Sequence, residues 1–214
     1  MNLLKKRLTV LYVNQVQLSL LSGILTVQGL VQMKEITENV LSALICSWEN
    51  LALVMGNISD YPAHLNALMK IAFDESDPRN WRAAWMVDKM NDKHPELIIP
   101  YLPSMTDFVL TTQNAGKKRH FLKLISLHAI LEDKMVTLLN YCIDVFTSSS
   151  EPIAVRVHAM QVLFNIAQAE PDFAGELIDL IEHEIEFHGS AGISSRGKKL
   201  LKKLAPSTNV HLKD

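Results

Sequence analysis

Four arginines recur along the chain at a nearly constant spacing. The numbers of Arg82, Arg119, Arg156 and Arg196 differ by 37, 37 and 40, and these are four of only six arginines in the sequence. A planar guanidinium group binds a carboxylate or a phosphate through two parallel hydrogen bonds. The series therefore predicts either an edge that binds an anionic partner or a set of structural pairs with acidic groups of neighbouring repeats.

An acidic or amide residue stands five positions before three of these arginines. Those residues are Asp77, Asn114 and Glu151. Each of them lies at a turn that precedes a helix, so its side chain can reach the adjoining helix start. This arrangement favours structural pairs, and a binding edge stays as the alternative.

Two further groups of residues could bind an anion. Trp81 and Trp85 flank Arg82, and four lysines follow Arg196 within seven residues. Such a cluster near the C-terminus is typical of a solvated helix end, where cations complement the helix dipole, or of a small anionic docking patch. The candidate binding surface comprises Trp81, Arg82, Trp85, Arg119, Arg156, Arg196, Lys198 and Lys199.

The histidines give no catalytic pattern. His183 and His188 resemble a zinc motif, but residues five apart lie about 140° from each other on a helix, whereas ligands on one face lie four apart. His120, His128 and His158 are isolated in the sequence. We therefore predict no catalytic, cofactor-binding or metal-binding residues and no cofactor.

Charge and cysteine content restrict the class of protein further. The chain of 214 residues has a net charge of −2 and a pI of about 6.4, without the basic excess of a dedicated nucleic-acid-binding protein. Binding to DNA or RNA would need a local patch. Cys46 and Cys142 lie in apolar stretches without a CxxC partner, which is typical of buried thiols in a reducing compartment. We expect a cytoplasmic location.

The N-terminal segment differs from the remainder of the chain. No charged residue occurs from Leu8 to Met33, but several Asn, Gln and Ser residues interrupt this stretch. A membrane helix needs about 20 predominantly apolar residues. We expect residues 1–32 to be a dispensable extension, residues 33–205 a repeat domain and residues 206–214 a tail. Membrane association is expected only if residues 8–31 act as an anchor.

Apolar residues recur at three- and four-residue spacing, which predicts an all-α fold. The predicted helices cover residues 36–55, 64–73, 81–90, 97–110, 121–131, 136–146, 153–166, 173–187 and 200–204. A period of about 37 residues with two helices per unit is the signature of an α-solenoid.

The segment from Glu151 to Arg156 resembles the start of the second helix of a HEAT repeat, where an acidic residue precedes Pro and Val-Arg. The following residues share one apolar helical stripe: Val155, Ala159, Val162, Leu163 and Ile166. When this stripe is moved back along the sequence so that Arg156 coincides with Arg82, Asp88 and Lys89 fall where it predicts apolar residues. The resemblance implies a right-handed α-α superhelix of about four to five helix pairs.

Residues 34–205 also resemble uncharacterised bacterial HEAT-like proteins, through Arg82–Trp85, Glu151–Arg156 and Gly189–Arg196. Some of those proteins carry the label adenylosuccinate lyase. Lyases of that superfamily have a Gly-Ser-Ser-x-Met-Pro-x-Lys-x-Asn loop whose serine acts as the base. The segment Gly189–Gly192 lacks the Met-Pro pair and the Asn, so we do not expect lyase activity.

Three functions follow from these observations. Stacked helix pairs form an extended concave surface, which favours a non-catalytic scaffold or adaptor that binds a protein partner. The alternative is a nucleic-acid-binding protein that resembles the HEAT-like alkylpurine DNA glycosylases, based on Trp81, Arg82, Trp85 and Asp88. A third is an envelope protein held by the N-terminal segment.

Deletion of residues 1–32 should leave stability nearly unchanged, because this segment lies outside the repeat pattern. The measurement is a thermal unfolding midpoint for the full and the shortened chain. A midpoint lowered by more than about 5 °C, which corresponds to more than ~1 kcal/mol for a domain of this size, would show that the segment packs on the core.

Overall fold

The computed structural model describes residue 41 and residues 62–208, without the side chains of residues 62, 63, 78 and 205–208. The chain divides into two compact units, of which one ends at Ile98 and the other begins at Ile99. The predicted extension over residues 1–32 lies outside the described residues. So does the predicted helix over residues 36–55, apart from Leu41, which is helical and buried.

Residues 62–208 form eight α-helices joined by short 3-10 turns and loops, and the described residues contain no strand. The predicted all-α fold is confirmed. None of these helices is both long and apolar enough to cross a bilayer. The helices are α1 (Pro62–Phe73), α2 (Trp81–Asn91), α3 (Leu102–Val109), α4 (Ala115–Ser126), α5 (Met135–Thr147), α6 (Ile153–Ala169), α7 (Ala174–His188) and α8 (Ala191–Thr208).

Side-chain caps explain where two of the helical segments begin. Asp77 accepts a hydrogen bond from the backbone N–H of Arg79 at 2.8 Å, at the start of the 3-10 turn that precedes α2. Hydrogen bonds from the Arg79 side chain and backbone lower the pKa of the Asp77 carboxyl to about 2. Asn114 caps α4 by accepting from the backbone N–H of Lys117 at 3.2 Å. These residues therefore act first on their own helix start.

The boundaries of α4 correct the sequence-based prediction. Apolar spacing predicts this helix over residues 121–131, and the structure shows it over Ala115–Ser126. Its first turns bury the polar residues Lys117, Lys118 and His120. A search for regularly spaced apolar residues therefore does not detect this part of the helix. Leu127 belongs to the predicted helix, but it follows the observed helix end and is 54% exposed.

In the second unit, α6 is the central helix. It packs against its own partner α5, against α7 of the next pair, and against both α4 and α8. The second helices of the three pairs, α4, α6 and α8, therefore lie side by side in one layer. We call α4, α6 and α8 the second helices, and α3, α5 and α7 the first helices.

The helix starts give the repeat period of this unit. The second helices begin at Ala115, Ile153 and Ala191, and each of these starts exceeds the one before it by 38 in residue number. With this shift the buried residues Val155 and Ala159 correspond to Lys117 and Phe121, which are also buried. The arginine spacing of 37 therefore misaligns the repeats by one residue.

The helix α2 relates to α4 by a different shift, which is 34 in residue number because α2 begins at Trp81. The apolar stripe of α6 then corresponds to Ala83, Val87, Met90 and Asn91, all of which are buried. The predicted conflict at Asp88 and Lys89 arises from the wrong register. Asp88 is itself buried, next to this stripe.

The connection between α7 and α8 consists of only two residues. Gly189 ends α7, and the Ser190 hydroxyl oxygen accepts a hydrogen bond from the backbone N–H of Ile193 at 3.3 Å, which caps α8. A Cβ atom on Gly189 would overlap the carbonyl oxygen of Ile185. The segment Gly189–Gly192 thus forms a tight turn between two helices and the start of α8.

Gly189→Ala should lower the free energy of unfolding by about 1–3 kcal/mol, because the backbone must move to relieve the overlap. The matched control is Gly175→Ala in α7, where no atom lies within 4 Å of an added Cβ. The control should be neutral or raise stability by up to ~1 kcal/mol through helix propensity. Urea unfolding of both variants checks this, and equal effects would contradict the tight turn.

Candidate functional site

The four recurring arginines do not occupy equivalent positions. Arg82 is the second residue of α2, Arg119 the fifth of α4, Arg156 the fourth of α6 and Arg196 the sixth of α8. At about 100° per residue, a difference of one position already turns a side chain to another face. The nearly constant spacing of the arginines in the sequence therefore does not place them at one common position of the helix start.

Arg156 is the most buried of them, at 5% exposed. Its Nε donates a hydrogen bond to the carbonyl oxygen of Phe146 in α5 at 2.8 Å, and its Nη2 donates to Oε2 of Glu184 in α7 at 2.5 Å. One guanidinium group thus links three helices from two neighbouring pairs. Arg156 forms a structural pair, with Glu184 rather than with the residue five positions before it, and it does not belong to an accessible surface.

Lys118 occupies the place in α4 that Arg156 has in α6, since each is the fourth residue of its helix. Its ammonium group forms an ion pair with Glu151, just before α6, and is largely buried. In both α4 and α6, the fourth residue of the helix therefore forms an ion pair with an acidic residue of the following helix pair. Sequence reasoning missed Lys118 and Glu184. Counting from the helix start after Asn114, as from Pro152 to Arg156, would have indicated Lys118.

Arg196 takes part in a chain of hydrogen bonds that crosses the second helices. Its Nη1 donates to Oε1 of Gln161 at 2.9 Å, and Nε2 of Gln161 donates to Oδ1 of Asn165 at 3.0 Å. Nδ2 of Asn165 donates to the carbonyl oxygen of Ser126 at 2.7 Å. These half-buried residues form a track from α8 over α6 to the end of α4. We call Gln161, Asn165 and Arg196 the amide track.

Arg119 lies on the same helix layer and is half-buried. Its Nη2 lies 2.8 Å from Nε2 of the buried His120. A guanidinium group carries five N–H donors, and this contact involves only one of its nitrogens. Arg119 therefore keeps further donors of its guanidinium group for a partner.

The remaining predicted residues lie in two separate places. Trp81, Arg82 and Trp85 are half-buried in α2 of the first unit, whereas Lys198 and Lys199 are exposed on α8 of the second unit. Helix α8 continues to Thr208, so the last turn carries no basic residue. Stabilisation of a helix end through its dipole therefore does not explain the lysines of α8.

Charges are fully separated between the two sets of helices in the second unit. The first helices contain seven acidic residues and no Lys or Arg, and the second helices contain ten Lys or Arg and no acidic residue. The acidic residues are Asp107, Asp144, Glu176, Asp179, Glu182, Glu184 and Glu186. The cationic residues are Lys117, Lys118, Arg119, Lys123, Arg156, Arg196, Lys198, Lys199, Lys202 and Lys203. A net charge of −2 hides this separation.

One cluster could hold a divalent cation by composition. Ligand atoms of His183, Glu184 and His188 lie within 4.8 Å of one another at the end of α7. However, Oε2 of Glu184 already accepts the hydrogen bond from Arg156, and a bound cation would lie next to that guanidinium group. We therefore assign the carboxylate to the ion pair and propose no metal site.

Cys142 is a free and fully buried thiol in α5, and burial raises its pKa well above the usual range. A thiol of this kind is a poor nucleophile. His128 is half-buried, and burial lowers its pKa. Neither observation points to nucleophilic or acid–base chemistry.

Arg156→Ala should lower the free energy of unfolding by about 3–5 kcal/mol, because Glu184 would keep a buried charge without its guanidinium partner. Glu184 is 2% exposed, so water cannot readily replace the guanidinium group. The double variant Arg156→Met/Glu184→Leu should recover most of the loss, since it removes both charges. Denaturant unfolding of the two variants measures the effect.

Arg196→Ala is the matched control for this experiment, because Arg196 donates to the neutral and half-buried Gln161. Its loss should cost no more than about 1 kcal/mol. If Arg156→Ala were no more destabilising than Arg196→Ala, the buried pair would not be the link that we describe.

Comparison with known proteins agrees with the helix pairs. A family model described as a HEAT repeat domain matches residues 39–204. No curated protein and no solved structure matches the chain significantly, so the label adenylosuccinate lyase has no support there. The matched span covers more than three quarters of the sequence, and the chain therefore belongs to the HEAT repeat domain family.

Proposed function

We propose that this protein is a non-catalytic scaffold that binds a protein partner on the exposed side of its second helices. The observation that carries the proposal is the complete absence of carboxylates from α4, α6 and α8. An acidic segment of another protein would meet only cationic and neutral side chains on this layer. HEAT repeats generally mediate interactions between proteins, which supports the same function.

The amide track supplies donors that a protein segment can use. A side-chain amide group carries two hydrogens, and the bonds within the track use one hydrogen each of Gln161 and Asn165. The second hydrogen can bind a backbone carbonyl or a carboxylate of the partner. Arg119 of α4 and Lys199 of α8 lie on the helices to either side of α6 and add charge.

A nucleic acid is the second candidate, because the same lack of carboxylates favours any polyanion. The central helix α6 weakens this candidate, since its only cation is Arg156, which is buried in the ion pair. Phosphate contacts dominate the affinity for nucleic acids and require a row of accessible cations. The exposed part of α6 instead offers neutral groups, which suits a protein segment.

Binding of a fluorescent oligoglutamate peptide and of a fluorescent single-stranded oligonucleotide, followed by anisotropy, tests the proposal. We expect the peptide to bind, and Arg119→Ala or Arg196→Ala to weaken it by about fivefold each, which corresponds to ~1 kcal/mol. Both residues lie on the second helices, so loss at either one would locate the peptide there.

The matched control is Lys134→Ala, which removes a cation that pairs with Asp107 of α3 at 2.7 Å. This variant should bind the peptide like the wild type. Tighter binding of the oligonucleotide would favour the second candidate. Equal losses in all three variants would mean that only net charge matters and would contradict a site on the second helices.

A further inference from the structure

The last helix pair carries two charged stripes of opposite sign. Asp179, Glu182 and Glu186 are exposed on α7, and Lys198 and Lys202 are exposed on α8. At about 100° per residue, the three acidic residues fall within roughly 60° of arc and the two lysines within roughly 40°. We call these the acidic stripe and the basic stripe.

Both stripes point away from the core of the second unit. The acidic stripe lies roughly 150° around α7 from the mean direction of its buried residues, and the basic stripe lies roughly 150° around α8 from its own. The buried residues are Ala174, Leu177, Ile181 and Glu184 in α7, and Ile193, Gly197, Leu200 and Leu204 in α8.

The close packing of α7 on α8 keeps the two stripes apart. Gly197 of α8 approaches α7 so closely that a Cβ on it would lie 2.8 Å from Cδ1 of Ile185 and 3.0 Å from Cγ2 of Ile181. The helices therefore meet through small and apolar groups. Among the residues that the structure describes, no ion pair joins either stripe to another side chain.

From this arrangement we infer that the last helix pair binds the same helix pair of a second copy of the chain. A two-fold axis parallel to the helices would place α7 of each copy on α8 of the other, so that both acidic stripes face basic stripes. The stripes extend over about 10 Å and about 6 Å at 1.5 Å per residue, which is a compatible length.

A second copy fits better than an unrelated charged partner. A purely acidic partner would match the basic stripe and be repelled by the acidic one, and a purely basic partner would meet the reverse. Only a surface that carries charges of both signs matches both stripes at once. A two-fold rotation supplies such a surface, because it places each acidic stripe opposite the basic stripe of the other copy. This interface uses the side of α8 away from Arg196, so it does not depend on the proposed function.

Sedimentation velocity of the full chain over a concentration series tests the inference. We expect a monomer–dimer equilibrium at about 0.01–0.1 M salt, where charges interact over ~10–30 Å, and monomers at about 1 M salt, where the range falls to ~3 Å. A chain that stays monomeric at low salt at all concentrations would overturn the inference.

Two charge-reversal variants make the test specific. Lys198→Glu/Lys202→Glu makes both stripes acidic. Glu182→Lys/Glu186→Lys makes the stripe on α7 net positive, with only Asp179 still acidic, beside the basic stripe of α8. Each variant alone should be monomeric through repulsion, and an equimolar mixture should form dimers, because every facing pair of stripes is then again opposite in sign. Circular dichroism checks that both variants fold, which is expected because all four positions are exposed.

The possible outcomes separate clearly. Dimers in the mixture but not in either variant alone would support the two-fold interface. Dimers in either variant alone, or monomers in the mixture of folded variants, would contradict it. Binding of an acidic peptide to the wild type that is lost in Lys198→Glu/Lys202→Glu, without any dimer, would show that the basic stripe serves a foreign partner instead.

Discussion

The guanidinium group of Arg156 lies where three helices meet, and the second unit depends on its two contacts. It reaches the end of α5 through the Phe146 carbonyl and the C-terminal half of α7 through Glu184. A buried charge is stable only when its partner and its hydrogen bonds are in place together. Through Arg156, the position of α6 therefore fixes the positions of α5 and α7.

The sequence was sufficient to predict the class of fold and several helices closely. Apolar spacing gave α2, α5, α6 and α7 within a few residues, because these helices bury apolar side chains at regular intervals. It failed at α4, where Lys117 is buried at the place that Val155 occupies in α6 and Ile193 in α8. Apolar patterns cannot detect a helix face that is buried through polar side chains.

The arginine series shows why residue identity is a weak measure of a repeat. The true period follows the helix starts, and the place that links neighbouring pairs holds a lysine in α4 and an arginine in α6. Their acidic partners lie before a helix in one case and inside a helix in the other. Glu184 could still have been noticed, since it continues the buried stripe of Leu177 and Ile181, where an acid needs a partner.

Separation of charge between the two sets of helices also gives the second unit a transverse electric dipole. The field of such a dipole acts beyond contact distance and turns an approaching charged molecule before the surfaces touch. Its main effect is on the association rate and on which orientation is sampled first, and it weakens as ionic strength rises. A charged molecule that approaches the second unit is thus oriented by the arrangement of all its helices, while any final contacts are left to a few side chains.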